Sequence, residues 1–150
     1  MDVRVRKGKK HDLSRVLSLI KELAVFEKEP KEVEVTIQEL EKDGFGTDPL
    51  FNFFVAEVDN VIVGMALYFT KYSTWKGKCI YLEDIIVTTS MRGKGIGKKL
   101  FAEVIKVAKK MKVRKLEWQV LNWNKHAINF YKKYSTVFDK EWTNCKLTFE

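Results

Sequence analysis

Hydrophobic and polar positions alternate in short runs along much of this chain, and stretches of helical periodicity separate these runs. Residues 3–6 alternate and predict a strand. Asp12 is placed to cap a helix that has one apolar face. The apolar residues of that face are Leu13, Val16, Leu17, Ile20, Leu23 and Ala24. Thr36 with Glu39 three residues later predicts a capping box, which opens a short helix through about Lys42.

The middle of the chain predicts three consecutive strands after a loop at residues 44–49. Residues 51–58 and 61–69 are strand-like runs. Asp59-Asn60 between them tolerates positive φ and suits a tight hairpin turn. The third strand-like run covers residues 79–87 and follows a turn at residues 75–78.

The last third of the chain predicts a long amphipathic helix that ends near Met111. Its buried stripe consists of Leu100, Phe101, Val104, Ile105 and Ala108. A strand at 116–120, a helix at 125–134 and short strands at 137–138 and 145–149 complete the pattern. The order β-α-α-β-β-β-α-β-α-β-β predicts an α+β fold in which one mixed, mainly antiparallel sheet has helices on both faces.

Length and composition favour a single globular domain over residues 1–150. Hydrophobic residues make up 45% of the chain, and no apolar run is long enough to span a membrane. No apolar segment of a signal peptide follows the first residues, so a cytoplasmic protein is expected. Cys79 and Cys145 lie far apart, which argues against a disulfide framework or a metal site.

Charge is distributed unevenly along the chain, although the net charge is +8. Residues 92–115 hold ten Lys or Arg against one acid, and residues 27–59 hold ten acids against three lysines. The basic segment suits phosphates and the acidic segment suits a cation. Two solvated faces of opposite sign would give the same pattern, so charge alone does not decide the function.

The sharpest motif is the glycine-rich run Arg92-Gly93-Lys94-Gly95-Ile96-Gly97 between a strand and a basic helix. Glycines let a backbone approach a ligand closely, and amides at a helix N-terminus bind pyrophosphate. A Walker A loop is excluded, because it needs Gly at position 92 and Ser or Thr at position 99. A dinucleotide-binding loop needs repeated βαβ units, whereas three strands without helices precede this run. The spacing Arg92-x-x-Gly95-x-Gly97 fits the pyrophosphate loop of acyl-CoA-dependent N-acetyltransferases.

With this motif the sequence resembles the GNAT N-acetyltransferases, and within them the diamine (spermidine/spermine) and thialysine N-acetyltransferases. The resemblance runs over nearly the whole chain and rests on several further segments. These are Leu19-Ile20-Lys21-Glu22-Leu23-Ala24, Asp43-Gly44-Phe45-Gly46, residues 72–77, Tyr81-Leu82-Glu83-Asp84, Trp123-Asn124 and Asn129-Phe130-Tyr131-Lys132. It implies the GNAT fold with splayed central strands, acetyl-CoA as the acetyl donor, a small cationic amine as acceptor and a homodimer. Neither a metal nor a nucleic-acid or membrane partner is expected.

The resemblance also implies roles for individual residues. Glu83 would take a proton from the bound ammonium, directly or through water, and Tyr131 would donate to the departing thiolate. Asp84 would point to the opposite face if the strand is regular. Backbone amides of Ile86 or Val87 would stabilise the oxyanion. The acetyl-CoA site would comprise Ile85, Ile86, Val87, Arg92, Gly93, Lys94, Gly95, Ile96, Gly97, Lys98, Asn124, Ala127 and Tyr131. The acceptor site would comprise Phe26, Glu27, Trp75, Glu83, Glu141 and Trp142.

Two departures from the family pattern affect the choice of acceptor and the dimer. Polyamine enzymes carry an acid two residues before the tryptophan of the 75–78 turn, whereas Ser73 stands here, as in the thialysine branch. Tyr134-Ser135 replaces the usual glycine after the Tyr131 helix. An aminoglycoside or a protein N-terminus stays open as the acceptor, as does a nucleic-acid-binding module that uses the 92–115 stripe. That module would leave the glycine loop unexplained.

Overall fold

The computed structural model describes all residues from Met1 to Glu150, which form two compact units, residues 1–119 and 120–150. In the first unit the strands are β1 (Val3–Lys7), β2 (Asn52–Val58), β3 (Val61–Ser73), β4 (Gly77–Val87) and β5 (Leu116–Glu117). Its helices are α1 (Leu13–Phe26), α2 (Ile37–Phe45) and α3 (Ile96–Lys110), with short 3₁₀ helices at Lys10–Asp12, Pro30–Glu32 and Thr89–Met91. The second unit contains α4 (Lys125–Tyr131). None of these helices is long and apolar enough to cross a membrane.

The five strands form one sheet in the order β1-β2-β3-β4-β5. The first four strands pair antiparallel, and β4 pairs parallel with β5. The predicted mixed, mainly antiparallel sheet is therefore confirmed. The β2–β3 hairpin turns at Asp59 and Asn60, whose φ angles of 51° and 64° are those of the left-handed region. Asp and Asn tolerate this region better than other side chains, which is why the turn was visible in the sequence.

Helices cover both faces of the sheet. Phe53 and Val55 of β2 pack in one cluster with Leu13 and Leu17 of α1 and with residues of α2. Their neighbours in β2 point to the other face, because side chains alternate along a strand. On that other face Leu100 of α3 lies so close to Gly64 of β3 that a Cβ there would be 3.2 Å from its Cδ1 atom. The prediction of helices on both faces is thus confirmed.

Asp12 stands at the N-cap position of α1, but its side chain does not cap that helix. Its carboxylate accepts hydrogen bonds from the backbone N–H of Lys9 at 2.7 Å and from the Arg6 guanidinium at 2.8 and 3.0 Å. The Arg6 hydrogen bond holds the pKa of Asp12 below its usual value. The predicted side-chain cap is therefore wrong, because the Arg6 charge on β1 offers the stronger partner. The buried face of α1 also includes Leu19, which is fully buried.

Helix α2 begins as predicted but ends later. Thr36 Oγ1 accepts a hydrogen bond from the backbone N–H of Glu39 at 3.1 Å. The helix continues through Gly44 to Phe45, so the prediction of a loop from residue 44 is wrong. A Cβ at Gly44 would lie 2.5 Å from the Phe51 ring. Gly44 is therefore a helical residue that leaves room for an aromatic side chain, not a helix breaker.

The C-terminal elements are shorter than the sequence predicts. β5 covers Leu116–Glu117 instead of 116–120, and α4 ends at Tyr131 instead of 134. The predicted strands at 137–138 and 145–149 are wrong, because this segment has no strand and its residues are exposed. Alternation of apolar and polar residues gives strand propensity, but a strand also needs a hydrogen-bonding partner. No strand of this chain pairs with residues 137–150.

Candidate functional site

The glycine loop between β4 and α3 adopts a backbone conformation that glycine accepts more readily than other residues. Gly93 and Gly95 have φ angles of 75° and 79°, in the left-handed region that disfavours other residues. A Cβ at either position would have no other atom within 4 Å. Their backbone conformation therefore explains these glycines, whereas packing against protein atoms does not. Open space beside a glycine loop is what a bound ligand requires.

Helix α3 begins at Ile96 with Gly95 as its N-cap residue, which has no side chain to bind the first amides. The first amides of a helix have no intrahelical acceptor, and the helix dipole is positive there. Lys94 and Lys98 are exposed beside them, while Ile96 is buried and anchors the helix in the core. Gly97 faces β4, where a Cβ would make ordinary contact with Val87 at 3.9 Å. The N-terminus of α3 can therefore bind an anion such as pyrophosphate.

Arg92 at the start of the loop is held by two neighbours. Its Nε donates a hydrogen bond to the Val87 carbonyl oxygen at 2.9 Å. Its guanidinium carbon lies 4.9 Å from the centroid of the Phe26 ring at the end of α1. Both contacts fix the side chain without using the two terminal amino groups, which can then bind phosphate oxygens.

The edge of β4 that faces away from β3 is unpaired beyond Tyr81. β5 pairs only with Ile80 and Tyr81, so residues 82–87 have no strand partner on that edge. Thr88 donates to Val63 of β3, and the Ile86 carbonyl approaches Gly64 of β3. Because backbone groups alternate along a strand, those of Ile85 and Val87 point to the open edge. The Val87 carbonyl indeed turns away from β3 and accepts from Arg92. Of the two predicted oxyanion donors, Val87 has the suitable direction and Ile86 does not.

A β-bulge in β4 brings two adjacent carboxylates into one environment. The β3–β4 register shifts between Leu67, which faces Asp84, and Tyr68, which faces Leu82, so Glu83 has no partner of its own. The expectation that Glu83 and Asp84 point to opposite faces assumed a regular strand and does not hold at a bulge. Glu83 is exposed and Asp84 is partly buried. Sequence reasoning missed Asp84 because a bulge leaves no clear signature in the sequence.

Asp84 carries the most perturbed carboxyl group of the first unit. Burial, together with the negative charges of Glu83 and Glu27, raises the pKa of Asp84 to about 7. Burial also raises the pKa of Glu27 at the end of α1. Glu27, Glu83 and Asp84 therefore form an acidic cluster close enough to interact electrostatically. Such a cluster favours a bound ammonium group, and a carboxylate with a pKa near 7 is suited to accept a proton at neutral pH.

In the second unit the predicted acetyl-CoA residues, Asn124, Ala127 and Tyr131, lie on α4 or directly before it. The Asn124 side chain caps this helix, since its Oδ1 accepts from the backbone N–H of Ala127 at 3.2 Å. Tyr131 at the end of α4 is buried, which raises its pKa to about 12. Glu141 and Trp142 lie further on, in the exposed segment without regular structure, and 73% of Trp142 is exposed.

Trp75 is not near the acidic cluster. It lies in the turn at the far end of the β3–β4 hairpin, with 84% of its surface exposed. Seven residues of β4 separate the turn from Asp84, which is roughly 20 Å at the rise of an extended strand. Ser73 Oγ accepts from the amides of Trp75 and Lys76 at 3.2 and 3.1 Å, so Ser73 stabilises this turn. No group of three His, Cys, Asp or Glu side chains is arranged to hold a metal ion.

Comparison with known proteins identifies the family. The acetyltransferase (GNAT) family profile matches residues 13–135, which include both the glycine loop and Tyr131. This chain belongs to the GNAT acetyltransferases. A thialysine N-epsilon-acetyltransferase of Bos taurus is 41% identical over 138 residues, 87% of this chain and 81% of the relative. A human spermidine/spermine N(1)-acetyltransferase-like protein is 36% identical over 134 residues, 85% of this chain but 19% of that longer protein.

Solved structures agree with the family assignment. An aminoglycoside acetyltransferase from an uncultured soil metagenomic sample superimposes with a TM-score of 0.80. The match covers 99% of this chain and 97% of the solved one, at 19% sequence identity. At this identity the likeness supports the GNAT fold alone. The predicted fold class and family resemblance are both confirmed, and the chain is an acetyltransferase.

Proposed function

We propose that this GNAT enzyme transfers acetyl from acetyl-CoA to a primary amine of a small cationic metabolite, by direct attack in a ternary complex. The observation that carries the proposal is the arrangement of β4 and the loop after it. One end of the open part of β4 carries Glu83 and Asp84 of the acidic cluster, and the other end leads into the glycine loop at the N-terminus of α3. A cation site and a pyrophosphate site therefore lie along the same strand.

The residues around the glycine loop fit acetyl-CoA as the donor. The loop amides, Arg92, Lys94 and Lys98 supply donors and positive charge for the pyrophosphate. Backbone groups of Ile85 and Val87 face the open edge of β4, where an extended pantetheine arm could add hydrogen bonds like a further strand. Asn124 and Ala127 remain proposed contacts of that arm, although the Asn124 oxygen also caps α4.

Two carboxylates are proposed to handle the ammonium proton. The acceptor amine has a pKa of about 10 and arrives protonated, whereas only the neutral amine attacks a thioester. Glu83 is exposed and can meet the arriving cation, while Asp84 has the raised pKa of a base that works near neutral pH. The carboxylate takes one proton from the ammonium, directly or through water, before the neutral nitrogen bonds to the carbonyl carbon. The second proton leaves the nitrogen for water as the tetrahedral intermediate collapses to the amide and the thiolate. Glu27 adds negative charge that holds the cation.

Val87 and Tyr131 are proposed to serve the developing charges of the acyl transfer. The Val87 N–H, aimed at the open edge, would donate to the oxyanion. Tyr131 would donate a hydrogen bond to the sulfur as the C–S bond breaks. Proton transfer from a phenol of pKa about 12 to a thiolate of pKa about 8.5 is uphill by roughly 5 kcal/mol. We therefore assign Tyr131 as a hydrogen-bond donor whose proton stays on the phenol.

The proposed acceptor is a thialysine-like amino acid ahead of a polyamine. The thialysine enzymes cover most of this chain at about 40% identity, and Ser73 stands where polyamine enzymes carry an acid. Ser73 is used in its own turn and offers no charge to a second ammonium group. The proposal includes the cytoplasm as the site of action, and no metal, nucleic-acid or membrane partner. It also includes a homodimer, in which Trp75, Glu141 and Trp142 would line the acceptor site.

A panel assay tests the function. Purified enzyme is incubated with acetyl-CoA and one amine at a time, and free thiol release is followed. The panel holds thialysine, ornithine, spermidine, an aminoglycoside and a peptide with a free N-terminus. We expect the highest kcat/KM for thialysine or another basic amino acid. Thiol release with none of the amines would refute the proposal, and a clear preference for the aminoglycoside or the peptide would replace the acceptor class.

A further inference from the structure

The helix α1 touches the region of the glycine loop at two points that no role assigned so far explains. Glu22 and Phe26 lie four residues apart in α1, so they share one face of the helix, one turn from each other. Glu22 contacts the residues that lead from β4 into the loop, and Phe26 contacts Arg92 of the loop itself. The sequence resemblance assigns no role to Glu22 and implies that Phe26 lies in the acceptor site.

Glu22 binds the segment directly after β4 with several hydrogen bonds. Thr88 Oγ1 lies 3.0 Å from each carboxylate oxygen of Glu22. The Thr89 backbone N–H and hydroxyl both donate to Glu22 Oε1, at 3.0 and 3.3 Å. Burial alone would raise the pKa of Glu22, but the hydrogen bonds from Thr89 and Thr88 lower it below its usual value. Glu22 is therefore a charged acceptor for a 3₁₀ turn, Thr89–Met91, that ends next to Arg92.

Phe26 completes the connection at Arg92. The ring faces the guanidinium at 4.9 Å, while Arg92 Nε is bound to the Val87 carbonyl oxygen. A cation over an aromatic face is attracted by the negative face of the ring, and the ring also limits the rotamers of the arginine. The position of the Arg92 charge is thus set by α1 as well as by β4.

We propose that α1 holds the pyrophosphate loop in its binding conformation, with Glu22 and Phe26 as positioning residues for acetyl-CoA. The loop contains three glycines, Gly93, Gly95 and Gly97, and would otherwise lose much conformational entropy on binding. Contacts that fix it before the ligand arrives reduce that cost, which is the general effect of preorganisation. The inference rests on the proposed function, since it assumes that acetyl-CoA binds this loop.

The same contacts change the role that we assign to Phe26. Its ring contacts Arg92, so we place Phe26 on the acetyl-CoA side and not on the acceptor side. The next residue, Glu27, belongs to the acidic cluster proposed for the amine. The end of α1 therefore touches both substrate sites with adjacent residues, and a variant at Phe26 distinguishes the two assignments by which substrate binds more weakly.

The test is isothermal titration calorimetry of the full chain with acetyl-CoA, without any amine. Glu22→Gln keeps the shape of the side chain but removes the charge, and Phe26→Leu removes the aromatic face. We expect each to weaken acetyl-CoA binding about tenfold, the loss of about 1.4 kcal/mol. Val25→Ala is the matched control, because Val25 is 63% exposed on the same turn of α1. Thermal melts check that each variant is folded.

Two further measurements make the result specific to positioning. In a cycle with Thr88→Val, the losses in acetyl-CoA affinity of Glu22→Gln and Thr88→Val should be less than additive in the double variant, because both substitutions weaken the same Glu22–Thr88 contact. In steady-state kinetics Phe26→Leu should raise the KM for acetyl-CoA more than the KM for the amine, with kcat less affected than either. A variant that is only less stable would not raise the KM for acetyl-CoA selectively over the amine KM and kcat.

The outcomes separate this inference from the proposed function. If the wild type does not bind acetyl-CoA, the proposed function fails. If the wild type binds acetyl-CoA and both variants bind it with the affinity of the wild type, the function stands and α1 does not position the loop. If Phe26→Leu raises only the amine KM, Phe26 belongs to the acceptor site and the assignment made here is wrong. Additive losses in the Glu22/Thr88 cycle would also overturn it.

Discussion

At the residue scale, Glu83 and Asp84 are proposed to divide one task, the binding and deprotonation of the amine, between two adjacent carboxyl groups. The β-bulge places them in a common electrostatic environment, and their mutual repulsion contributes to the raised pKa of Asp84. Exposed Glu83 is suited to binding the cation, and partly buried Asp84 is suited to taking its proton.

The first prediction concerns the pH dependence of kcat/KM. If Asp84 is the base, its ionised form is active, so the wild-type value should rise with pH and level off above about 7. Asp84→Asn removes that base, and the reaction then depends on amine that loses its proton in solution. Its kcat/KM should be far below the wild-type value at neutral pH and rise steadily towards the amine pKa of about 10. The measurement is a set of pH–rate profiles with the best amine of the panel.

Glu83→Gln and Glu103→Gln complete that experiment. Glu83→Gln should raise the amine KM and keep the inflection, but move it below pH 7, because Asp84 is still present while the Glu83 charge that helps to raise its pKa is gone. Glu103→Gln, on the surface of α3, should behave as the wild type. If Glu83→Gln loses the inflection and Asp84→Asn keeps it, the base is Glu83, as the sequence resemblance implied.

The second prediction concerns Tyr131, whose burial keeps its phenol protonated. Tyr131→Phe removes a donor to the departing thiolate, and alkaline pH cannot replace a hydrogen bond. The loss in kcat, on the order of 10²-fold, should therefore be similar at neutral and high pH. Tyr134→Phe, three residues later in the same unit, is the matched control. Full activity of Tyr131→Phe would make Tyr131 a packing residue of α4.

At the element scale, the glycine loop shows what a sequence can predict. The Arg92–Gly97 motif predicted the loop and the start of α3 because left-handed residues require glycine and leave a signature. The β2–β3 turn at Asp59-Asn60 was found for the same reason. The Glu83 bulge, the direction of the Val87 amide and the contact of Phe26 with Arg92 were not found. They depend on the pairing of β4 with β3 and on the packing of α1, which are properties of residues distant in sequence.

The third prediction uses two glycines of similar conformation. Gly95→Asp places a side chain and a negative charge beside the proposed phosphate site, and should raise the acetyl-CoA KM at least about tenfold, or about 1.4 kcal/mol. Gly77→Asp is the control, because Gly77 has φ of 80° in the distant β3–β4 hairpin, against 79° at Gly95. Both variants place an aspartate at nearly the same positive φ. Equal acetyl-CoA KM values for the two variants would contradict the assignment of the glycine loop to the acetyl-CoA site.

The failures of element prediction are concentrated at the C-terminus. Residues 137–138 and 145–149 have the composition of short strands, but a strand needs a partner and no strand of this chain pairs with them. The predicted N-cap of α1 is a smaller failure. The local pattern indicates Asp12 as the cap, but the Asp12 carboxylate is instead paired with Arg6. In both cases the local signal was present, and an interaction beyond the local sequence decided the structure.

At the scale of the whole molecule, the exposed C-terminal segment bears on the proposed homodimer. Four apolar side chains between residues 137 and 150 are 73–88% exposed, namely Val137, Trp142, Leu147 and Phe149. Single exposed apolar residues are common, but a concentration of them in one segment is a feature of interaction sites. A second copy that paired with this segment would supply the missing strand partner and cover these side chains.

The last prediction is that the dimer depends on this segment. Light scattering at micromolar concentration should give about twice the chain mass of 17.6 kDa for the wild type. Leu147→Asp/Phe149→Asp places two charges where a partner strand would pack, and should shift the protein to monomer, because burying unpaired charge is costly. Leu50→Asp, at a residue 63% exposed in the loop before β2, should remain dimeric. A wild type of single-chain mass would contradict the dimer. A dimer that persists in the double variant would move the interface elsewhere and leave the exposed segment to another partner.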